Sequence, residues 1–121
     1  MKKILAIGVL ALLLIPLNAL GANLTGVWGS DDNGTYYIRQ IDNQIVWFAE
    51  RSPANQYWAN VAYGTISGDT ITLTWADVPK GNSLNNGVLV LKYDDTPGRE
   101  SLYAIDKNPV SYGGSTWYRL S

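Results

Sequence analysis

The chain has 121 residues, ten acidic against nine basic, and neither Cys nor His. Without those two side chains there is no disulfide, no thiol for lipid attachment, no Ser-His-Asp or Cys-His nucleophile system and no thiolate or imidazole metal centre. Five Trp and eight Tyr stand against a single Phe, and such rings combine large area with a polar handle, which suits the interior of a small barrel and a binding surface alike.

Lys2 and Lys3 precede an apolar run, Ile4 to Ile15, then Pro16, Asn18 and the small residues around Gly21 and Ala22. That is the order of a secretory signal peptide. An apolar run of about a dozen residues falls short of the roughly 20 that cross a bilayer, so residues 1–22 are expected to be a cleaved leader. The protein is then secreted or periplasmic, with no membrane span left. Residues 23–121 form one domain. Without the two leader lysines it carries seven basic and ten acidic residues, a formal charge of −3, which argues against nucleic acid or an anionic membrane as partner.

Leu24 to Gly29 reads as a first strand and Ser30 to Asn33 as a turn. Gly34–Ile41 and Gln44–Arg51 are the next two strands, joined by Asp42-Asn43. That turn pairs Ile38 with Trp47 and Tyr36 with Ala49 on one face. Arg39 and Glu50 lie on the other, so the first set is taken as inner. After a loop with Pro53, Trp58 to Asp77 forms the clearest hairpin, turning on Gly68-Asp69, where Gly supplies the positive φ of a tight turn. Its register sets Ile66 opposite Ile71, Gly64 opposite Leu73, Ala62 opposite Trp75 and Asn60 opposite Asp77. The inner face is apolar and ends in a polar pair; the outer face is mostly Thr and Tyr.

A long loop, Val78 to Asn86, leads to a sixth strand, Gly87 to Tyr93, with Leu89 and Leu91 inward. Asp94 to Gly98 is a turn, Arg99 to Asp106 the seventh strand, Lys107 to Gly114 a loop and Ser115 to Leu120 the eighth. The reading is all-β: an eight-stranded antiparallel up-and-down β-barrel. Short turns follow strands two, four and six. Longer connections follow strands three, five and seven, and in a meander these gather at one rim. Asn60 and Asp77 fall at that rim. The strands are shorter than the 9 to 11 residues that span a bilayer, and Arg39, Glu50, Thr65, Thr72, Thr74 and Lys92 face out, so a membrane barrel is rejected.

Gly26-Val27-Trp28 on the first strand, the eight-strand meander and Arg119 on the last resemble the calycin pattern of lipocalins and avidins. The resemblance implies that Trp28 packs beneath Arg119. Leu24-Thr-Gly-Val-Trp28 followed by Gly34-Thr35 also resembles the first avidin hairpin. Where avidins place a biotin-binding Asn, two residues after the Trp, this chain has Ser30, so no biotin site is carried over. Asp32-Asn-Gly-Thr-Tyr-Tyr-Ile-Arg-Gln40, with Trp58-Ala-Asn60 and Trp75-Ala-Asp-Val-Pro79, resembles a family of small exported prokaryotic proteins with no assigned function, which implies no activity.

Three function classes remain. The first is a small-molecule binder with an aromatic-lined mouth for a flat, mostly apolar ligand or a sugar ring. Trp58, Asn60, Trp75, Asp77, Tyr36 and Trp47 are its candidate contacts, while Trp28, Trp117 and Arg119 are structural. The second is a filled barrel that docks a partner protein or acts like an inhibitor. The third is a carboxylate enzyme using Asp77 with Asp31 or Asp106, since glycoside hydrolysis needs two carboxyl groups roughly 5 to 9.5 Å apart. The reading adopted is the first, with no catalytic residue, cofactor or metal. Asp31-Asp32-Asn33-Gly34 fails as an EF-hand, with Gly29 at the first ligand position and Gln40 at the last, and reads as an Asx-type turn. Asn23-Leu-Thr25 and Asn33-Gly-Thr35 are sequons. A closed barrel has no free edge, so any oligomer would form through faces or loops.

Overall fold

A computed structural model describes residues 22–51 and 57–121. The expected leader, apart from Ala22, and the Pro53 loop lie outside the described residues. Eight strands follow in order: β1 Gly26–Ser30, β2 Gly34–Ile41, β3 Gln44–Arg51, β4 Ala59–Ser67, β5 Thr70–Asp77, β6 Asn86–Asp94, β7 Ser101–Asn108 and β8 Thr116–Arg119. Each pairs antiparallel with the next, and β8 returns to β1 through Trp28–Arg119, Gly29–Tyr118 and Ser30–Trp117. The sheet is a closed up-and-down barrel, so no edge is left open to pairing.

Two-residue turns fix the register of the two central hairpins. Gly68 has φ +61° and Asp42 has φ +55°, the left-handed first position such turns require. The pairings that follow are those the sequence implies: Ile38 with Trp47, Tyr36 with Ala49, Ala62 with Trp75 and Asn60 with Asp77. Alternation does the rest. Along β5, Ile71, Leu73 and Trp75 are buried while Thr72 and Thr74 are exposed. Leu89 and Leu91 of β6 likewise face in.

The seventh strand differs from expectation at both ends. It begins at Ser101, and Asp95 to Glu100 form a six-residue connection rather than a short turn. Asp94 Oδ1 accepts from Thr96 N and Oγ1, and Gly98 at φ +77° reverses the chain. Further along, the register slips between Val90 and Leu91, which pair with Asp106 and Ala104. Ile105 is the extra residue of a β-bulge. A bulge shifts the phase of alternation by one, so Asp106 points outward and Lys107 takes the inner-face position opposite Leu89. The candidate carboxylate Asp106 is thereby removed from the interior.

One pole of the barrel is sealed. Leu24 is buried, its N–H donates to Gln40 Oε1, and its carbonyl accepts the Trp28 indole N–H at 2.9 Å. The Arg119 guanidinium stacks over Trp28 at 4.6 Å. It donates to Asn23 O and Thr25 O and pairs with Glu100. Above this plug Trp117 and Tyr36 are fully buried. The Tyr36 ring stands edge-on to Trp47 at 4.9 Å and to Trp117 at 5.7 Å, pairs worth about 0.5–1.5 kcal/mol each beyond the area they bury.

Candidate functional site

The opposite pole carries the β1–β2, β3–β4, β5–β6 and β7–β8 connections, of three, seven, eight and seven residues. Between them lies a cavity of about 270 Å³. Its apolar walls are the rings of Tyr57, Trp58, Trp75 and Tyr112, and its polar lining includes Asp32, Asn60 and Asp77. A cavity of this size is slightly below the range usual for drug-sized ligands and suits a smaller molecule.

Trp58 is seated by two close approaches. A Cβ on Gly34 would stand 2.5 Å from its ring, and one on Gly81 would stand 2.5 Å from its Cα. Only glycine fits against the indole at position 34 and against the Trp58 backbone at position 81. Asn60, on the inner face of β4, is buried although polar, and burial demands partners. Its Oδ1 accepts the Trp47 indole N–H at 2.9 Å, and its Nδ2 donates to Tyr112 OH at 3.2 Å. Asn60 and Asp77 therefore face each other across the hairpin without sharing a side-chain hydrogen bond. Asp77 Oδ2 instead accepts from Asn85 N and holds the start of β6.

The chain of donors continues. Tyr36 OH donates to Asp32 Oδ2 at 2.6 Å and lies 3.0 Å from Tyr112 OH. A phenol has one proton, and that of Tyr36 is given to the carboxylate. Tyr112 must then be the donor in the second pair. The direction is thus uniform: Asn60 amide to Tyr112, Tyr112 to Tyr36, Tyr36 to Asp32. Burial, foremost, raises both phenols above their usual range, so both keep their protons at neutral pH. Aligned donors polarise one another, and the whole run ends on one carboxylate. Burial also raises the Asp32 carboxyl, against the lowering effect of the Tyr36 hydroxyl and the Gly34 N–H.

Of the candidate contacts, Trp58, Asn60, Trp75 and Asp77 line the cavity. Tyr36 and Trp47 lie below it, buried, and reach it only through their bonds to Tyr112, Asp32 and Asn60. Asp31 is turned away, its Oδ1 accepting from Ser115 N and Thr116 N at the start of β8. Asp32, Tyr57 and Tyr112 are among the lining residues that sequence reasoning passed over. Asp32 Oδ1 accepts from Gly34 N as in any Asx turn, which is the visible signal. Its second oxygen, aimed at the inward Tyr36, is the informative one. Tyr112 sits in a loop, where no periodicity separates inward from outward. Lys107, brought inside by the bulge, holds that loop through Tyr112 O and Ser115 Oγ, each at 2.8 Å. Trp75 Nε1 is buried without a hydrogen-bond partner among the described residues.

A second, wider depression of about 680 Å³ lies beside the β6–β7 connection, between Asp94, Arg99, Glu100 and Tyr118. Its central charges, Arg119 and Glu100, already neutralise each other, and no Trp lines it. Among the described residues no group of three His, Cys, Asp or Glu is placed to hold a metal, and no helix is long and apolar enough to cross a membrane. In comparison with known proteins, no family model matches the chain, and no curated protein or solved structure matches it significantly.

Proposed function

We propose that the protein is an exported small-molecule-binding barrel of calycin type, with its ligand held in the long-loop mouth. One observation carries this reading: among the described residues the interior is packed with side chains from the sealed pole up to Tyr36 and Trp47, and it opens where four aromatic residues meet Asp32, Asn60 and Asp77. The Gly26-Val-Trp28 start and the Arg119 stack support the calycin likeness. Titration of a library of metabolites and sugars, followed through the indole N–H resonances of the protein, tests it. Binding should move Trp58 and Trp75 and leave Trp28 and Trp117 in place; Trp58→Ala should abolish the response and Asp77→Asn should weaken it. A ligand whose effects centre elsewhere, or indifference to both substitutions, would displace the site.

The docking reading keeps one specific observation. Tyr37, Phe48 and Val61 are register neighbours on the outer face of β2, β3 and β4, and Tyr37, Val46, Val61 and Tyr63 are exposed there. A concentration-dependent change in sedimentation that Tyr63→Ser removes would favour it.

A further inference from the structure

We propose that the mouth is selective for a small organic cation, an alkylated ammonium, rather than for a neutral or anionic molecule. The inference rests on the reading that the mouth is a binding site, and it names the ligand class. Its basis is an imbalance of charge within an aromatic enclosure.

Asp32 and Asp77 both line the cavity, and among the described residues no Lys or Arg does. The ion pairs among the described residues occupy Glu50, Asp69 and Glu100, and neither mouth carboxylate has a cationic partner. Lys107 is the inner-face cation of β7, and its ammonium is committed to the Tyr112 carbonyl and the Ser115 hydroxyl. The hydrogen-bond run from Asn60 through Tyr112 and Tyr36 delivers donors to Asp32. It spreads the carboxylate's charge without cancelling it. A partly desolvated carboxylate that lacks a counter-ion is costly, and a ligand bringing positive charge relieves that cost. A neutral sugar does not.

The walls fit the same guest. Trp58 and Tyr57 line the cavity, and an aromatic ring attracts a cation placed over its face, most strongly for Trp. Tyr57 already does so once in the fold, with the Arg51 guanidinium 4.6 Å from its centroid. An alkylated ammonium spreads its charge over methyl groups, sheds water readily, and matches rings and carboxylates together. A compact hydrated metal ion would forfeit the rings.

The test compares choline and tetramethylammonium with 3,3-dimethylbutanol, the uncharged carbon counterpart of choline, and with glucose and acetate. Affinities are read from the Trp58 and Trp75 indole resonances. Choline should bind at least about tenfold more tightly than dimethylbutanol. Asp32→Asn should lower choline affinity about tenfold and that of dimethylbutanol far less, so that the ratio of the two affinities falls. Asp77→Asn supplies the same comparison should the first variant disturb the fold. Equal affinity for choline and its uncharged counterpart, or preference for glucose or acetate, overturns cation selectivity and leaves a binding mouth. Failure of every probe and of the wider library to move these resonances overturns the binding reading as well.

Discussion

The two poles of this barrel are built from the same residue types and use them in opposite ways. At the sealed pole Trp28, Arg119 and Glu100 are paired with one another or with backbone. At the mouth Trp58, Trp75, Asp32 and Asp77 leave a space between them, and the buried hydrogen bonds converge on a carboxylate that has no counter-ion. The difference separates two tasks. A disulfide-free domain of this size must obtain its stability from packing, and the sealed pole supplies it. The mouth carries carboxylates without that compensation.

Substitutions can break this contrast, and the largest effect should come from the sealed pole. Trp28→Ala removes a fully buried indole, its bond to Leu24 O and its cation stack. Urea unfolding should show a loss of about 3–5 kcal/mol. A loss below 1 kcal/mol would mean that this end is not the anchor of the fold.

A smaller effect is expected at Glu100. The Arg119 guanidinium, foremost, holds its carboxyl below the usual range, and the Tyr93 hydroxyl assists, while burial and Glu100 push the Tyr93 phenol up to about 12. A depressed folded-state pKa means stability that is present above the unfolded value and is lost as pH falls through the folded one. Glu100→Gln should therefore cost about 1 kcal/mol at neutral pH for this partly exposed pair. The cost should vanish once both states are protonated. Equal cost at neutral and strongly acid pH would assign the effect to packing.

The smallest effect should carry the opposite sign. The Asp32 carboxyl is raised, chiefly by burial, so its contribution is fully present below the unfolded pKa and is lost as pH rises through the folded one. Asp32→Asn keeps the shape and can still accept from Gly34 N through its oxygen, while its amide must donate to the Tyr36 oxygen and turn that hydroxyl's proton toward Tyr112. It should leave stability at neutral pH unchanged or raise it by up to about 1 kcal/mol, with the gain shrinking on acidification. Urea melts at neutral and acid pH decide the matter. A clear loss at neutral pH would make Asp32 a structural keystone and erase the contrast between the poles.

What could be read in the sequence follows from what is periodic in it. Two-residue turns at Asp42-Asn43 and Gly68-Asp69 leave only one register, so the inward sets of β2 to β5 and the facing of Asn60 and Asp77 were legible. The stack of Arg119 on Trp28 was legible through the calycin likeness rather than through period. The start of β7 was not, because Glu100 is drawn out of the strand by Arg119 and Tyr93. Half of the mouth was also hidden. Tyr112 comes from a loop, Asp32 reaches inward with the oxygen its turn does not use, and Lys107 enters only after a slip that no alternating pattern announces.

That slip at Ile105 has a consequence for how the chain tolerates change. Every pairing of β7 beyond the bulge, from Asp106 opposite Val90 to Asn108 opposite Val88, is regular. The ladder therefore holds one residue in reserve, placed on the solvent side where its side chain is half exposed. Chain length and sheet phase are uncoupled at this point, so a strand can differ in length between versions of the same barrel while the rim keeps its ammonium group and the loop that group tethers.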